Sequence, residues 1–393
     1  MDSRILSHRY LYIVLLAILI LAWTMVCLLY FPNPYLWIFP SWLLACNIAA
    51  IAITRPVGRA VFVNIAVVFL LLWIFEWFAY DEVRKSKQNH LSYSESSYKV
   101  DDPALGTVPK KGVVYRAKRK FKDTVVYDVN YSVGSNGLRI PPPANESHPR
   151  GCVLFFGCSF TYGEGLNDNQ TIPYRVGVHT HGEYRTYNFG FQTYGPHQML
   201  AALEQSVVDQ TVECHPTHAI YQAIPDHAAR VAGKFPWGRH SPRYRLMTDG
   251  SVKREGFVDD EDVLPPIYKK LQGQLSKSNV SKWIKMRVPT VKDSDIDLFV
   301  AIVKNSERVI SKKFPGCQFH VFLWRDVPEH VRYRKTLEGL RVAGLQVHLV
   351  DDILPDYTTN PHQYVISKYD AHPNALADDL IAEYIAKRIL KYK

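Results

Sequence analysis

The stretch Val153-Leu154-Phe155-Phe156-Gly157-Cys158-Ser159-Phe160-Thr161-Tyr162-Gly163-Glu164-Gly165 decides how the rest of the chain reads. Its first four residues are large and apolar and stop at a glycine, the mark of a short strand buried on both faces. The strand runs straight into a turn of small residues that carries a hydroxyl. In α/β enzymes a serine nucleophile is presented there, at the carboxyl end of a parallel sheet. Ser159 is therefore the first candidate for chemistry.

Downstream the pattern alternates. Strands are expected at Cys152 to Phe156, Thr186 to Phe189, His218 to Ile224, Gln318 to Trp324 and Gln346 to Val350. Helices are expected at Thr171 to Val178, Pro196 to Gln210, Ser294 to Lys313, Glu329 to Ala343 and Ala375 to Leu390. Such alternation implies a parallel sheet with helices on both faces, a three-layer α/β/α domain over 151–393. Residues 232–292 interrupt it with a hairpin, Tyr244 to Gly256 around Asp249-Gly250, and a basic helical stretch from Ile267 to Met286. An insertion after a strand's carboxyl end reads as a lid, a substrate-binding arm or a solvated decoration. Upstream, residues 101–150 form a β-rich prelude with a tight turn at Asn136-Gly137, and the Ser-rich residues 81–100 read as a linker.

The first eighty residues are of another kind. Tyr10 to Phe31 and Leu36 to Ile53 carry no charge, and Ala60 to Tyr80 carries only Glu76. A hydrocarbon core of about 30 Å takes roughly 20 apolar residues of helix, so three membrane spans are expected over residues 1–80. Arg4, Arg9, Arg55 and Arg59 flank them on one side, which places the N-terminus in the cytoplasm and residues 81–393 outside it. Glu76 lies near the outer end of the third span, within reach of the interface.

Residues beyond the spans hold 43 basic and 35 acidic side chains, a diffuse balance of +8. It suits a domain facing anionic lipid or glycan, and no basic run interleaved with aromatics points to nucleic acid. Four of the six cysteines, Cys152, Cys158, Cys214 and Cys317, lie outside the spans, and four cysteines allow three pairings. No pair has metal-ligand spacing, so no metal is expected.

Gly157-Cys158-Ser159, with the downstream Asp370-Ala371-His372-Pro373-Asn374, resembles the first and last blocks of the SGNH, or GDSL-like, hydrolases, in a membrane-anchored bacterial form. Asn188 to Gln198 looks like the second block, and Leu105-Gly106 with Tyr131 to Arg139 is similar to the prelude of bacterial members. The resemblance covers roughly residues 101–393. It implies Ser159 as nucleophile, His372 as base and Asp370 as the acid that orients the imidazole, with no cofactor.

Three departures bear on the oxyanion. Cys158 replaces the aspartate of Gly-Asp-Ser, and Thr193 stands where the second block has a glycine that donates its amide. Ile224-Pro225-Asp226-His227 occupies the place of Gly-x-Asn-Asp, whose asparagine is a side-chain donor. An ionised aspartate accepts only, and proline has no N–H. The expected donors are thus the amides of Ser159 and Thr193, joined by His227. Glu164 and Arg230 are expected to stabilise loops, with no catalytic role.

The expected activity is hydrolysis, through an acyl-enzyme, of a small-molecule, glycan or lipid ester, an O-acyl group of the cell envelope being the favoured target. The location would be the cytoplasmic (inner) membrane, with the catalytic domain periplasmic. Two other readings stay open. An O-acyltransferase would use the same triad with a separate acyl-donor partner in the membrane, and a glycan-binding module would have kept the fold while losing the oxyanion hole.

Overall fold

The computed structural model describes residues 3–53, 55–88, 92–94, 98–235, 240–261, 266–287, 291–326 and 331–392. Three helices open the chain: α1 (Ser3–Tyr30), α2 (Tyr35–Ala52) and α3 (Pro56–Gln88). Five strands follow, β1 (Ser92–Ser94), β2 (Lys99–Asp102), β3 (Gly106–Pro109), β4 (Val113–Phe121) and β5 (Thr124–Val133). The alternating part starts with β6 (Gly151–Phe156), α4 (Ser159–Tyr162), α5 (Ile172–His179), β7 (Tyr184–Asn188), α6 (Pro196–Glu204), α7 (Val207–Thr211), β8 (Pro216–Ala223) and α8 (His227–Val231). The insertion gives β9 (Pro242–Leu246), β10 (Val252–Phe257), α9 (Pro266–Leu275) and α10 (Asn279–Arg287). The chain closes with α11 (Asp293–Lys313), β11 (Gln318–Leu323), α12 (Val331–Val342), β12 (Gln346–Leu349), β13 (Val365–Ser367), β14 (Asp370–Pro373) and α13 (Ala375–Tyr384).

The chain divides into two compact units, residues 1–90 with 262–289, and residues 91–261 with 290–393. In the second, a five-stranded parallel sheet runs in the order β12-β11-β8-β6-β7. Its strands read as continuous apolar runs because both faces are covered. Tyr221, Val321 and Leu323 pack with α6, α8, α11 and α12 on one face, and Phe155, Ile220 and Phe322 pack with α5 and α13 on the other. From β6 the chain goes to β7 on one side, then crosses to β8 on the other. The connections leaving the neighbouring strands β6 and β8 thus run in opposite directions, to β7 and to β11, so the carboxyl ends of β6 and β8 flank the topological switch point where open α/β sheets bind ligands.

Element positions differ from the sequence reading in a few places. The expected helix Pro196 to Gln210 breaks into α6 and α7 at Ser206, which takes φ +57°. The start expected at Glu329 lies outside the described residues. The helix α3 runs to Gln88 and β1 pairs with β4, so much of 81–100 is regular structure. The insertion is not one piece. Its β-hairpin belongs to the second unit, where Tyr244 is buried and donates its hydroxyl to Glu204 at 2.6 Å. Its helices α9 and α10 belong to the first.

In the first unit, Tyr35–Ala52 and Pro56–Lys85 are helices long and apolar enough to cross a membrane, and the described apolar stretch of α1 is Val14–Tyr30. A core helix of a soluble protein is mostly buried. These two are only 22% and 11% buried, with Leu44, Val61, Leu71 and Phe75 exposed.

Candidate active site

The strand β6 delivers Ser159 as the first residue of α4. The turn between them needs Gly157, whose φ is +152° and where a Cβ would lie 2.1 Å from Thr161 Oγ1. At the other end of the chain, β14 carries Asp370 and His372, and Asn374 caps α13 by accepting the Ala377 N–H at 3.1 Å. The Asn374 amide also donates to the carbonyls of Gln363 (2.8 Å) and Val365 (3.2 Å), pinning the turn. The His-Pro-Asn sequence is therefore a helix start that fixes the imidazole.

The ends meet. His372 Nδ1 lies 2.6 Å from Asp370 Oδ1, and His372 Nε2 lies 2.9 Å from Ser159 Oγ. An ionised carboxylate only accepts, so Nδ1 carries the proton and Nε2 offers a lone pair to the serine hydroxyl. Ser159 is 5% exposed, and the His372 side chain is 18% exposed. Burial alone pushes the His372 imidazole down, but Glu164 and then Asp370 outweigh it and raise it above its ordinary value. Burial likewise pushes Asp370 up, and the His372 hydrogen bond and charge, with Arg119, bring it below the usual carboxylate range.

Two residues at the triad come from elsewhere. Arg119, on β4, donates Nη1–H to Asp370 Oδ2 at 2.6 Å. Glu164, in the loop after α4, places Oε2 3.5 Å from His372 Nε2 and Oε1 3.8 Å from Arg119 Nη1. Arg139 holds that loop: it donates to the carbonyls of Tyr162 and Gly163 at 2.7 Å, to Leu166, and to Asp168 at 2.7 Å, while its guanidinium stacks on Tyr131. The sequence signal for these roles was weak, a buried-type arginine at the end of the prelude and an acid within the first block.

The three expected oxyanion residues are placed differently. Ser159 opens α4, where an N–H has no acceptor within its own helix. Thr193 takes φ +69°, the left-handed conformation that favours glycine. No hydrogen bond among the described residues uses the Thr193 N–H. Arg230 donates to the next carbonyl, Tyr194 O, at 2.6 Å and fixes the loop. His227 is not joined to the triad. It is fully buried, with Nδ1 2.5 Å from the Tyr221 hydroxyl, and burial, then Arg230, pushes its imidazole far down. His197, in the first turn of α6, is buried nearby and pushed down to about 3 by burial and Arg230. Cys158 is fully buried and unpaired.

Beside the triad lies a cleft of about 580 Å³. Phe160, Trp324, Tyr357 and Tyr369 form aromatic walls, Asp370 and Ala371 one edge, and Asp226, Arg325, Arg332 and Lys368 supply charge. Among the described residues no group of three His, Cys, Asp or Glu is arranged to hold a metal ion. Cys152 and Cys214 are joined as a disulfide with Cα atoms 6.1 Å apart, one of the bridges the cysteine count left open.

No protein-family model and no curated protein matches the chain. Among solved structures it is similar to a lipolytic protein of the G-D-S-L family from Desulfitobacterium hafniense, at 12% identity over 60% of this chain and 98% of that one, with a TM-score of 0.35. A carbohydrate acetylesterase from Sinorhizobium meliloti is similar at 9% identity, covering 61% of this chain and 98% of its own, with a TM-score of 0.32. An acetyl xylan esterase from Butyrivibrio proteoclasticus is similar at 10% identity over 65% of this chain and 68% of its own, with a TM-score of 0.35.

Proposed function

We propose that this chain is a membrane-anchored serine esterase that removes an O-acyl group from an envelope glycan or lipid. The observation that carries the reading is the hydrogen-bonded series Ser159 Oγ, His372 and Asp370 at the switch point of the sheet. Ser159 Oγ attacks the ester carbonyl carbon while its proton passes to His372 Nε2. The tetrahedral adduct then breaks its bond to the alcohol, and the imidazolium returns that proton to the leaving oxygen. Water repeats the sequence on the acyl-enzyme, releasing the acid and restoring Ser159. The amides of Ser159 and Thr193 hold the oxyanion, while His227 is engaged with the Tyr221 hydroxyl.

The cleft supports a glycan. Aromatic walls suit the apolar faces of sugar rings, and the charged groups at the rim suit their hydroxyls. The exposed apolar faces of α2 and α3 support spanning, with α1 as a third span, and the flanking Arg4, Arg9, Arg55 and Arg59 support an N-terminus on the cytoplasmic side. The Cys152–Cys214 bridge supports an oxidising compartment for the second unit.

The full chain in nanodiscs, given a chromogenic acetate ester and a fluorescent organophosphonate, tests this. Turnover and covalent labelling at Ser159 are expected, and both disappear in Ser159→Ala. Turnover that survives in Ser159→Ala defeats the triad, and absence of labelling in the native chain favours a glycan-binding module. Acyl groups recovered by mass on an added oligosaccharide instead of in water identify a transferase.

A further inference from the structure

The helices α9 and α10 make a hairpin that is hydrogen-bonded to Glu76 within α3, to the last turn of α1, to the start of α2 and to the turn between α1 and α2. Glu76 of α3 is 1% exposed and caps α10: its carboxylate accepts the Ser278 hydroxyl at 2.8 Å, the Val280 N–H at 3.3 Å and the Asn279 N–H. Lys277 returns the favour at the other polarity, donating Nζ to Leu28 O in the last turn of α1. Tyr35, at the start of α2, donates its hydroxyl to Gln274 O at 3.2 Å, and Lys282 donates to Asn33 Oδ1 at 3.4 Å. A carboxylate at a helix N-terminus and an ammonium at a helix C-terminus each meet the orphan groups and dipole of that end.

This fixes the hairpin's depth. Glu76 lies 17 residues beyond Arg59 on one helix, about 25 Å at 1.5 Å per residue, close to one hydrocarbon thickness. Glu76 therefore reaches the headgroup level opposite Arg59. The same level carries Tyr35, Trp37, Trp77 and Tyr80, and Trp283 of α10 meets Phe78 edge-on at 6.1 Å. Tyrosine and tryptophan gather where lipid meets water. Residues 266–287 carry six cations, Lys269, Lys270, Lys277, Lys282, Lys285 and Arg287, and no acid. Beside them Leu271, Leu275 and Ile284 are 54%, 53% and 52% exposed. Cations with exposed large apolar side chains on short helices are the composition of a helix lying in an anionic interface.

We propose that the hairpin 266–287 is a membrane-surface element whose occupant is the anionic phospholipid headgroup layer at the Glu76 end of the spans. The proposal rests on the spanning reading given above. It makes the insertion part of the membrane anchor, a second lipid contact reached after the catalytic unit has begun.

The full chain with a single introduced cysteine, Leu271→Cys or Ile284→Cys, carries an environment-sensitive fluorophore in nanodiscs with or without phosphatidylglycerol. The native free thiols are buried, so the label goes to the new site. A third variant, Leu19→Cys, reports from an exposed position in the middle of α1. At positions 271 and 284, nitroxide near the lipid headgroup is expected to quench at least about threefold more than nitroxide at the chain end, and removing phosphatidylglycerol is expected to weaken that quenching by about the same factor. At position 19 the chain-end nitroxide quenches more. Fluorophores at 271 and 284 that stay unquenched while 19 is quenched overturn the hairpin proposal alone. Quenching that ignores phosphatidylglycerol overturns the anionic occupant. An unquenched position 19 overturns the spanning reading and this proposal with it.

Discussion

Arg119 and Asp370, 251 residues apart, are joined by a 2.6 Å hydrogen bond in which the guanidinium faces one carboxylate oxygen while His372 faces the other. The Asp370 side chain is 1% exposed and that of Arg119 13%. A buried carboxylate with both oxygens engaged has one orientation, and the imidazole it holds has one too. The prelude strand β4 thereby fixes the geometry of the Ser159, His372 and Asp370 series.

Arg119→Met is expected to lower kcat by up to about 10²-fold with little change in KM, because a small misplacement of the base costs that much. Steady-state kinetics on the full chain check this, and organophosphonate labelling should slow in parallel. A matched rise in KM would mean that Arg119 contacts substrate instead.

Glu164→Gln is expected to move the acid limb of kcat/KM to lower pH. The sign follows from the charge: Glu164 raises the His372 imidazole, the active base is neutral, and activity is lost as pH falls through that pKa. Without the charge, the base stays neutral further into acid. The pH–rate profile of the variant beside the native chain gives the answer.

Thr193→Gly is expected to stabilise the fold by about 0.5–1 kcal/mol, since a β-branched residue is strained at positive φ and glycine is not. The backbone N–H survives the exchange, so the rate of labelling at Ser159 should not fall. Denaturant unfolding and labelling kinetics measure the two effects separately.

A row of three histidines crosses the sheet. His218 stacks on His320, His320 Nδ1 lies 3.1 Å from His348 Nε2, and His348 Nδ1 lies 3.1 Å from the Tyr384 hydroxyl. Burial, then His348 and His218, pushes His320 down to about 3, and burial lowers the other two. The unfolded chain binds more protons below its ordinary histidine pKa of about 6.5, so stability present above that value drains away between there and about pH 3. Unfolding midpoints at pH 7 and pH 5 should differ more for the native chain than for His320→Leu.

The parts legible in the sequence were those written in neighbouring residues. The strand Val153 to Phe156, the turn to Ser159 and the Asp370-Ala371-His372-Pro373-Asn374 run each carry their own local reason, burial on two faces, a glycine hinge and a helix cap. The five sheet strands appeared within a few residues of their expected positions because apolar runs bounded by turns mark buried strands. Arg119 and Glu164 were not legible as partners of the triad, since nothing in an exposed-looking β4 or a glycine-rich loop says which remote carboxylate or imidazole it will face. The break at Ser206 was hidden for a similar reason, as the apolar spacing continues through it. The placement of Ile267 to Met286 in the first unit depended on contacts such as that with Glu76, about two hundred residues away, and its basic pattern alone read as a lid, a substrate-binding arm or a solvated decoration.

Shortening the chain to residues 90–393, the usual route to a soluble domain, removes Glu76, Leu28 and Tyr35 but keeps α9 and α10. The cap of Asn279 and Val280 would vanish, and Leu271, Leu275 and Ile284 would be carried into water on helices too short to persist alone. Such a fragment is expected to aggregate, whereas one in which residues 262–289 are replaced by a short polar loop should stay monomeric in size-exclusion chromatography. On this expectation, solubility turns on residues 262–289, which the chain inserts between β10 and α11 of the second unit.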